Sequence, residues 1–236
     1  WPGGIGPAVI DWKATDWNDG DVAEGLQVPT GMGLETVTID WDGNQRIGVS
    51  AQDVVIHLLD FLHLQGSIFF EKGPQQLVTL GTGLPQNLGA LGSLIQPLLD
   101  AITGLAGVDL SADLSTITGW DVATMMLGMS GVMGFAGFGN PDFSDVDWAQ
   151  SDDLFGFILD GVDLALGIME STFDQIQGLK QFIGLHATAD TVSFTAYGSD
   201  WMTVDADYVE IVINDNPDNW PGGIGPAVID WKATDW

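Results

Sequence analysis

Cysteine is missing from this chain, tyrosine occurs twice, and only five residues, Lys13, Arg46, Lys72, Lys180 and Lys232, are basic. The first absence rules out a disulfide framework, so any cross-linking must come from packing or from a cation such as calcium. The shortage of Lys and Arg rules out a surface that tracks phosphates, because nucleic-acid binding depends on clustered basic residues. It also argues against docking on an anionic membrane face. No spanning segment is expected either. Residues 73–99 are free of charge but interrupted by Pro74, Pro85 and Pro97, and residues 122–138 are apolar but short, Gly-rich and without basic flanks. There is no signal peptide and no Met at position 1, which predicts a fragment or a processed product.

Catalytic signatures are missing too. There is no H-E-x-x-H, no G-x-S-x-G and no P-loop, and Gly4-Ile5-Gly6-Pro7 makes a poor nucleotide loop because Pro7 lacks an amide donor. The expectation is that the chain is not an enzyme.

What is present is acidity and repetition. Asp and Glu number 33, giving a net charge of −28. Asp dominates, with Glu confined to Glu24, Glu35, Glu71, Glu170 and Glu210. Asp suits turns and metal loops, whereas Glu suits helices. Such a charge is tolerable where salt or divalent cations screen it, as outside the cell. Hydrophobic content of 45% is ample for a core and argues against disorder.

Residues 1–17 read WPGGIGPAVIDWKATDW, and residues 220–236 repeat this segment without a mismatch. Trp1 recurs as Trp220, Asp11 as Asp230, Trp12 as Trp231 and Trp17 as Trp236. Self-similarity at a fixed period marks a tandem array. The expected organisation is a boundary segment at 1–17, a β-rich body at 18–219 and the start of the next repeat at 220–236. Trp1, Trp12, Trp17, Trp220, Trp231 and Trp236 are then candidates for packing one repeat on the next, or for stacking on surface glycans. Neighbouring copies of the same repeat are the expected partners.

The body reads as mainly β. Residues 35–42 alternate, and residues 46–72 suggest two strands turning near Gln65-Gly66, with both faces partly apolar. Strand-like segments return at 122–138, 154–168, 182–197 and 201–213. Between them, an insert at 84–105 carries Leu91, Leu94, Ile95, Leu98, Ile102 and Leu105 at helical spacing. It predicts a short helix near residues 86–105, kinked or broken at Pro97. The fold class expected is a long-stranded repeat, either a β-solenoid or an extended, sandwich-like sheet. A fainter echo, Ala-(Gln/Asp)-x-Val-x-(Ile/Phe), starts at Ala51, Ala189 and Ala206.

Asp/Asn turns are the candidate calcium loops. Asp40, Asp42 and Asn44 place oxygen ligands at alternate positions around Gly43, although Ala51 stands where an EF-hand needs Glu. Asp16, Asn18, Asp19 and Asp21 form a second cluster, and Asp215 and Asp218 a third, so that acids flank each boundary segment. His57 and His63 lie six residues apart on one expected strand, roughly 20 Å along it, too far to act together.

The stretch IDWDGNQRIGVSAQDVVIHLLDFLHLQGSIFFEKGP (39–74), with DGVDLALGI (160–168), FIGLHATADTVSF (182–194) and DADYVEIVIN (205–214), resembles repeats of giant acidic bacterial surface proteins. Its motifs are the D-x-D-G-N turn and the following G-S-x-x-F-E-K-G. The resemblance implies export, cell-surface display and an adhesive or envelope-building role, and it carries no catalytic residue.

Overall fold

The computed structural model describes residues 9–15, 25–30, 36–58, 61–85, 89, 92–145, 147–173, 176, 178–197, 204–218 and 225–236. Within these, β1 (Leu26–Pro29) pairs with β2 (Thr36–Ile39) in a small antiparallel ladder. A second, eight-stranded sheet holds β3 (Ile47–Leu58), β4 (Leu62–Gly81), β5 (Asp109–Leu110), β6 (Thr116–Phe138), β7 (Phe155–Ser171), β8 (Gln181–Ala196), β9 (Asp205–Asp215) and β10 (Val228–Ile229). Its path is β10-β4-β6-β7-β8-β9. β3 lies beside the first half of β4 and β10 beside its last two residues, while β5 joins the start of β6. The pairings are antiparallel, and the sheet does not close into a barrel.

The expectation of a mainly β chain with one short helix therefore holds, in the form of an extended sheet. The helix, α1 (Gly92–Thr103), runs through Pro97 without a break. Pro97 sits in the second turn, where it forgoes one i→i−4 bond, while Ile95, Leu99 and Ile102 bury one face. That packing outweighs the local cost.

The turn expected at Gln65-Gly66 is not there: the chain reverses between Leu58 and Leu62, and Gly66 lies inside β4. A Cβ on Gly66 would stand 2.7 Å from Val132 Cγ2, so this glycine serves close approach between strands rather than reversal.

A row of irregularities crosses the middle of the sheet. Register shifts occur between Ala51 and Val54, between Gln65 and Ser67, and between Met129 and Val132. Asp53, Gly131, Gly161 and Tyr208 have φ of 53°, 59°, 62° and 57°. Where the register shifts these are bulges, which insert a residue and sharpen the local twist, whereas Tyr208 takes its left-handed conformation with β9 still in register with β8. The sequence echo maps onto this row: Asp53 and Tyr208 are the third residues of two of its copies, both left-handed.

The sheet has one covered face and one open face. Val78, Trp120, Val122, Met169 and Phe182 are buried on the first, under α1, Leu179 and the segment Ala227–Trp231. At its other end the same face buries Phe135 and Ile158 under Trp148 and Leu154, which belong to the acidic loop at 140–153 and its exit. That loop is thus a lid over a second core as well as a charged surface. Hydrogen bonds from Ser144 to the Asp142 carboxylate hold its pKa below the usual Asp range.

Asp121 follows Trp120 in β6, and partial burial raises its pKa despite the 3.1 Å hydrogen bond it accepts from the Thr172 hydroxyl. A carboxyl whose folded pKa lies above its unfolded value favours folding in its protonated form, so that contribution is lost as pH rises through the folded pKa. Asp121→Asn is therefore expected to raise the melting temperature at neutral pH, with the gain vanishing as pH falls below the carboxylate range. A pH series of thermal melts reads this directly.

Candidate functional site

Two features of this sheet are suited to meeting other molecules. The first is built by the second copy of the repeated segment. Val228 and Ile229 pair with Gly81 and Leu80 at the end of β4, and the Asp230 N–H donates to the Thr79 carbonyl at 2.8 Å. On the other side, the end of β9 reaches the segment through side chains. Asn214 Nδ2 donates to the Ile229 carbonyl at 3.0 Å, and Asn216 Nδ2 donates to the Ala227 and Gly178 carbonyls at 2.9 Å each. The segment so bridges the two edges of an open sheet, with Ala227 0% and Ile229 1% exposed.

Beyond the strand, Trp231 lies across Gly167 and Gly184 on the covered face, and its Nε1 donates to Asn214 Oδ1 at 3.0 Å. Trp236 stacks on it with ring centroids 5.1 Å apart. Thr234 Oγ1 accepts from the Thr79 N–H at 3.1 Å, and the Asp235 carbonyl accepts from Gln76 Nε2 at 2.6 Å. A tight turn shapes this end: the Asp230 carboxylate accepts from the Lys232 and Ala233 N–H groups.

The first copy makes the same turn elsewhere. Asp11 Oδ1 accepts from the Ala14 N–H at 2.7 Å, as Asp230 Oδ1 does from Ala233, and the Asp11 carbonyl accepts from Thr15 N and Oγ1, as that of Asp230 does from Thr234. Its Val9 and Ile10 form no strand and are 40% and 51% exposed. The turn is thus local, written in the Asp-x-x-Ala-Thr sequence, whereas the strand forms only in the copy that meets a sheet edge.

The second feature is the open face. Val49, Phe70, Leu127, Leu166, Leu185 and Ile213 are successive cross-strand partners on six strands. The row beside it is Ala51, Ile68, Met129, Leu164, Ala187 and Ile211. No residue of either row is buried. Six strands span roughly 24 Å, so this is a broad apolar surface, of the kind that marks an interaction site.

The calcium candidates that are described do not converge. The Asp42 carboxylate accepts from the Asn44 N–H at 3.2 Å, an ordinary Asx turn, and Asp40 and Asn44 are exposed. Beside them, Arg46 sits 5.6 Å above the Trp41 ring and donates to both carboxylate oxygens of the buried Glu71, at 2.8 and 3.0 Å. The hydrogen bond that Glu71 accepts and then its negative charge raise the Arg46 pKa. Asp215 ends β9 opposite Ile183, and the Asp218 N–H bonds the Asn216 side chain. Among the described residues no three acidic or histidine side chains converge as metal ligands. Asp16, Asn18, Asp19 and Asp21 lie outside the described residues, as do Trp1, Trp17 and Trp220. Of the other junction candidates, Trp12 and Trp231 are half-buried, and Trp236 is 55% exposed, as Trp41 is at 50%.

The separation inferred for His57 and His63 is corrected by the hairpin, which makes them direct cross-strand partners with Nδ1 atoms 2.5 Å apart. One ring donates and the other accepts. His63 is 3% exposed, and its Nε2 is buried without a partner. His57→Ala would leave both nitrogens of His63 unmet, at a cost of about 1–3 kcal/mol. Adding His63→Phe should recover most of that loss, since it removes the stranded polar atoms; chemical denaturation of both variants is the check.

No protein-family model, no curated protein and no solved structure matches the chain. Among the described residues no helix is long and apolar enough to cross a membrane.

Proposed function

We infer that the chain is a structural or adhesive repeat of an extracellular rod, fibre or sheath, joined head to tail to copies of itself. The observation that carries this reading is the exact recurrence of residues 1–17 at 220–236, the second copy being docked between the edges of the sheet. Repetition multiplies mechanical and adhesive units, each of which contacts its neighbours in sequence. Sheets laid along one axis in this way would extend into a long-stranded, solenoid-like array, and the open apolar face would let neighbouring rods pack laterally at the ~10 Å spacing of stacked sheets. For an adhesive role, the exposed rings of Trp41 and Trp236 offer stacking surfaces for sugars. The resemblance to giant surface proteins supports the same location.

The deciding measurement is the mass of the native polypeptide. One far above the 25.1 kDa of this chain fits covalent tandem repetition, and one near it rejects that repetition. Calcium belongs to this reading as the counter-ion to a charge of −28. Millimolar calcium is expected to raise the melting temperature beyond what sodium gives at matched ionic strength, with EDTA reversing the gain; equal melts would take the ion out of the picture.

The open face also favours a second reading, an apolar-ligand or lipid carrier. Mass spectrometry of an organic extract from the purified protein separates the two, since a carrier brings stoichiometric lipid with it.

A further inference from the structure

The two identical segments of this chain stand in different surroundings. Val228–Thr234 fills a built groove: backbone pairing with β4 on one side, Asn214 and Asn216 on the other, and a floor of Gly167 and Gly184 under the Trp231 ring. Val9–Thr15 makes the same Asp-centred turn, is tied to the Trp41 carbonyl by the Lys13 N–H at 3.1 Å, and turns Val9 and Ile10 to solvent. A sequence that fits one groove through Ile229 and Trp231 fits the same groove in another molecule through Ile10 and Trp12.

We propose that Val9–Thr15 is the plug for a second copy of this chain. It enters the groove between β4 and β9 of the copy before it, pairing Val9 and Ile10 with that copy's Gly81 and Leu80 and laying Trp12 over its Gly167 and Gly184. The folded unit of the array is then out of phase with the sequence repeat: each body is completed by the opening residues of the repeat that follows. Every junction becomes part of a sheet rather than a linker, and tension along the array is borne by the β4–β10 ladder. The proposal rests on the reading of the chain as a head-to-tail repeat.

The absence of cysteine allows a direct test on the full chain. Thr79 contacts Thr234 in the filled groove, and Thr15 is the counterpart of Thr234 in the first copy. A chain carrying Thr79→Cys and Thr15→Cys can form a disulfide between molecules when the first segment of one occupies the groove of another. With both segments intact, the tethered copy acts at an effective concentration on the order of millimolar, which holds occupancy from outside to about a tenth at ~0.1 mM protein. Adding Trp231→Ala weakens the tethered copy, so a ladder of dimers and longer species should strengthen roughly tenfold on non-reducing gels. Light scattering of Trp231→Ala without the cysteines should show the same concentration-dependent growth.

Adding Trp12→Ala to either protein should return it to monomer. An unchanged ladder with Trp12→Ala, or a folded Trp231→Ala chain that stays monomeric at every concentration, overturns the proposal. Should Trp231→Ala fail to fold by circular dichroism, Ile229→Asp with and without Ile10→Asp repeats the comparison at the strand. A failed ladder leaves tandem repetition to be decided by the native mass, and a native mass of one period leaves the ladder result standing, so the two readings fail separately.

Discussion

Met169→Lys is expected to remove most of the stability of this chain, whereas Leu166→Lys, three residues earlier on the same strand, should leave it folded. Met169 is 1% exposed on the covered face, in one core with Trp120, Val122 and Phe182. An ammonium placed there meets no partner, and an uncompensated buried charge costs about 3–5 kcal/mol. That is a large share of the 5–15 kcal/mol typical of a domain. Leu166 is half-exposed, between Leu127 and Leu185 on the open face. A lysine there can lay its methylenes along the sheet and keep its charge in water, for a loss of roughly 1 kcal/mol or less. Guanidinium melts of the two variants read the contrast, and equal losses would mean that the second face is covered in the isolated chain. The same Leu166→Lys chain should associate laterally less than the parent, because the charge lies in the middle of the apolar rows.

This asymmetry explains why the strands were easy to find in the sequence and their roles were not. Residues 154–168 and 182–197 alternate, and β7 and β8 form close to where that alternation places them. In β7, however, Leu164, Leu166 and Ile168 point one way and Met169 the other, and both sets are apolar. Hydrophobicity says that a residue prefers to leave water; it does not say which face finds a cover. The cover here comes from α1 and residues 227–231, both distant from β7 along the chain, and from the 140–153 loop that leads into it.

The hairpin shows a second limit. Gln65-Gly66 looks like a turn because glycine usually permits one, yet its glycine is required by Val132 of β6. Once the reversal moves to between Leu58 and Leu62, His57 and His63 become partners, which a reading in terms of one extended strand excludes. The Asp/Asn clusters were legible as turns: Asp42 caps its own turn, and Asn216 spends its side chain on the Gly178 and Ala227 carbonyls. That second role, holding the repeated segment in place, depends on a contact between β9 and the end of the chain and leaves no local signal.

The repeated segment was visible in the sequence as a duplication, and its groove was hidden in two glycines. A Cβ on Gly184 would stand 2.1 Å from Cζ2 and 2.6 Å from Cε2 of Trp231, and one on Gly167 would stand 3.0 Å from Cη2 of the same ring. An indole ring has no internal rotation by which to make room, so Gly184→Val must swing the whole ring out of its place. The loss would include the hydrogen bond to Asn214, the stack on Trp236 and the burial of the ring. Together these are expected to cost up to about 3–5 kcal/mol, the upper bound set by deletion of a fully buried tryptophan, since Trp231 is half-buried. Hydrogen exchange should then report fast exchange at Val228–Thr234 while β6 and β7 stay protected. Tryptophan emission should move to longer wavelength as Trp231 enters water. Gly225 tests whether the effect belongs to the groove or merely to the segment. A Cβ there meets nothing within 4 Å, so Gly225→Ala should change neither signal. If Gly184→Val leaves the segment as protected as Gly225→Ala does, Trp231 is not what holds the sheet edges together.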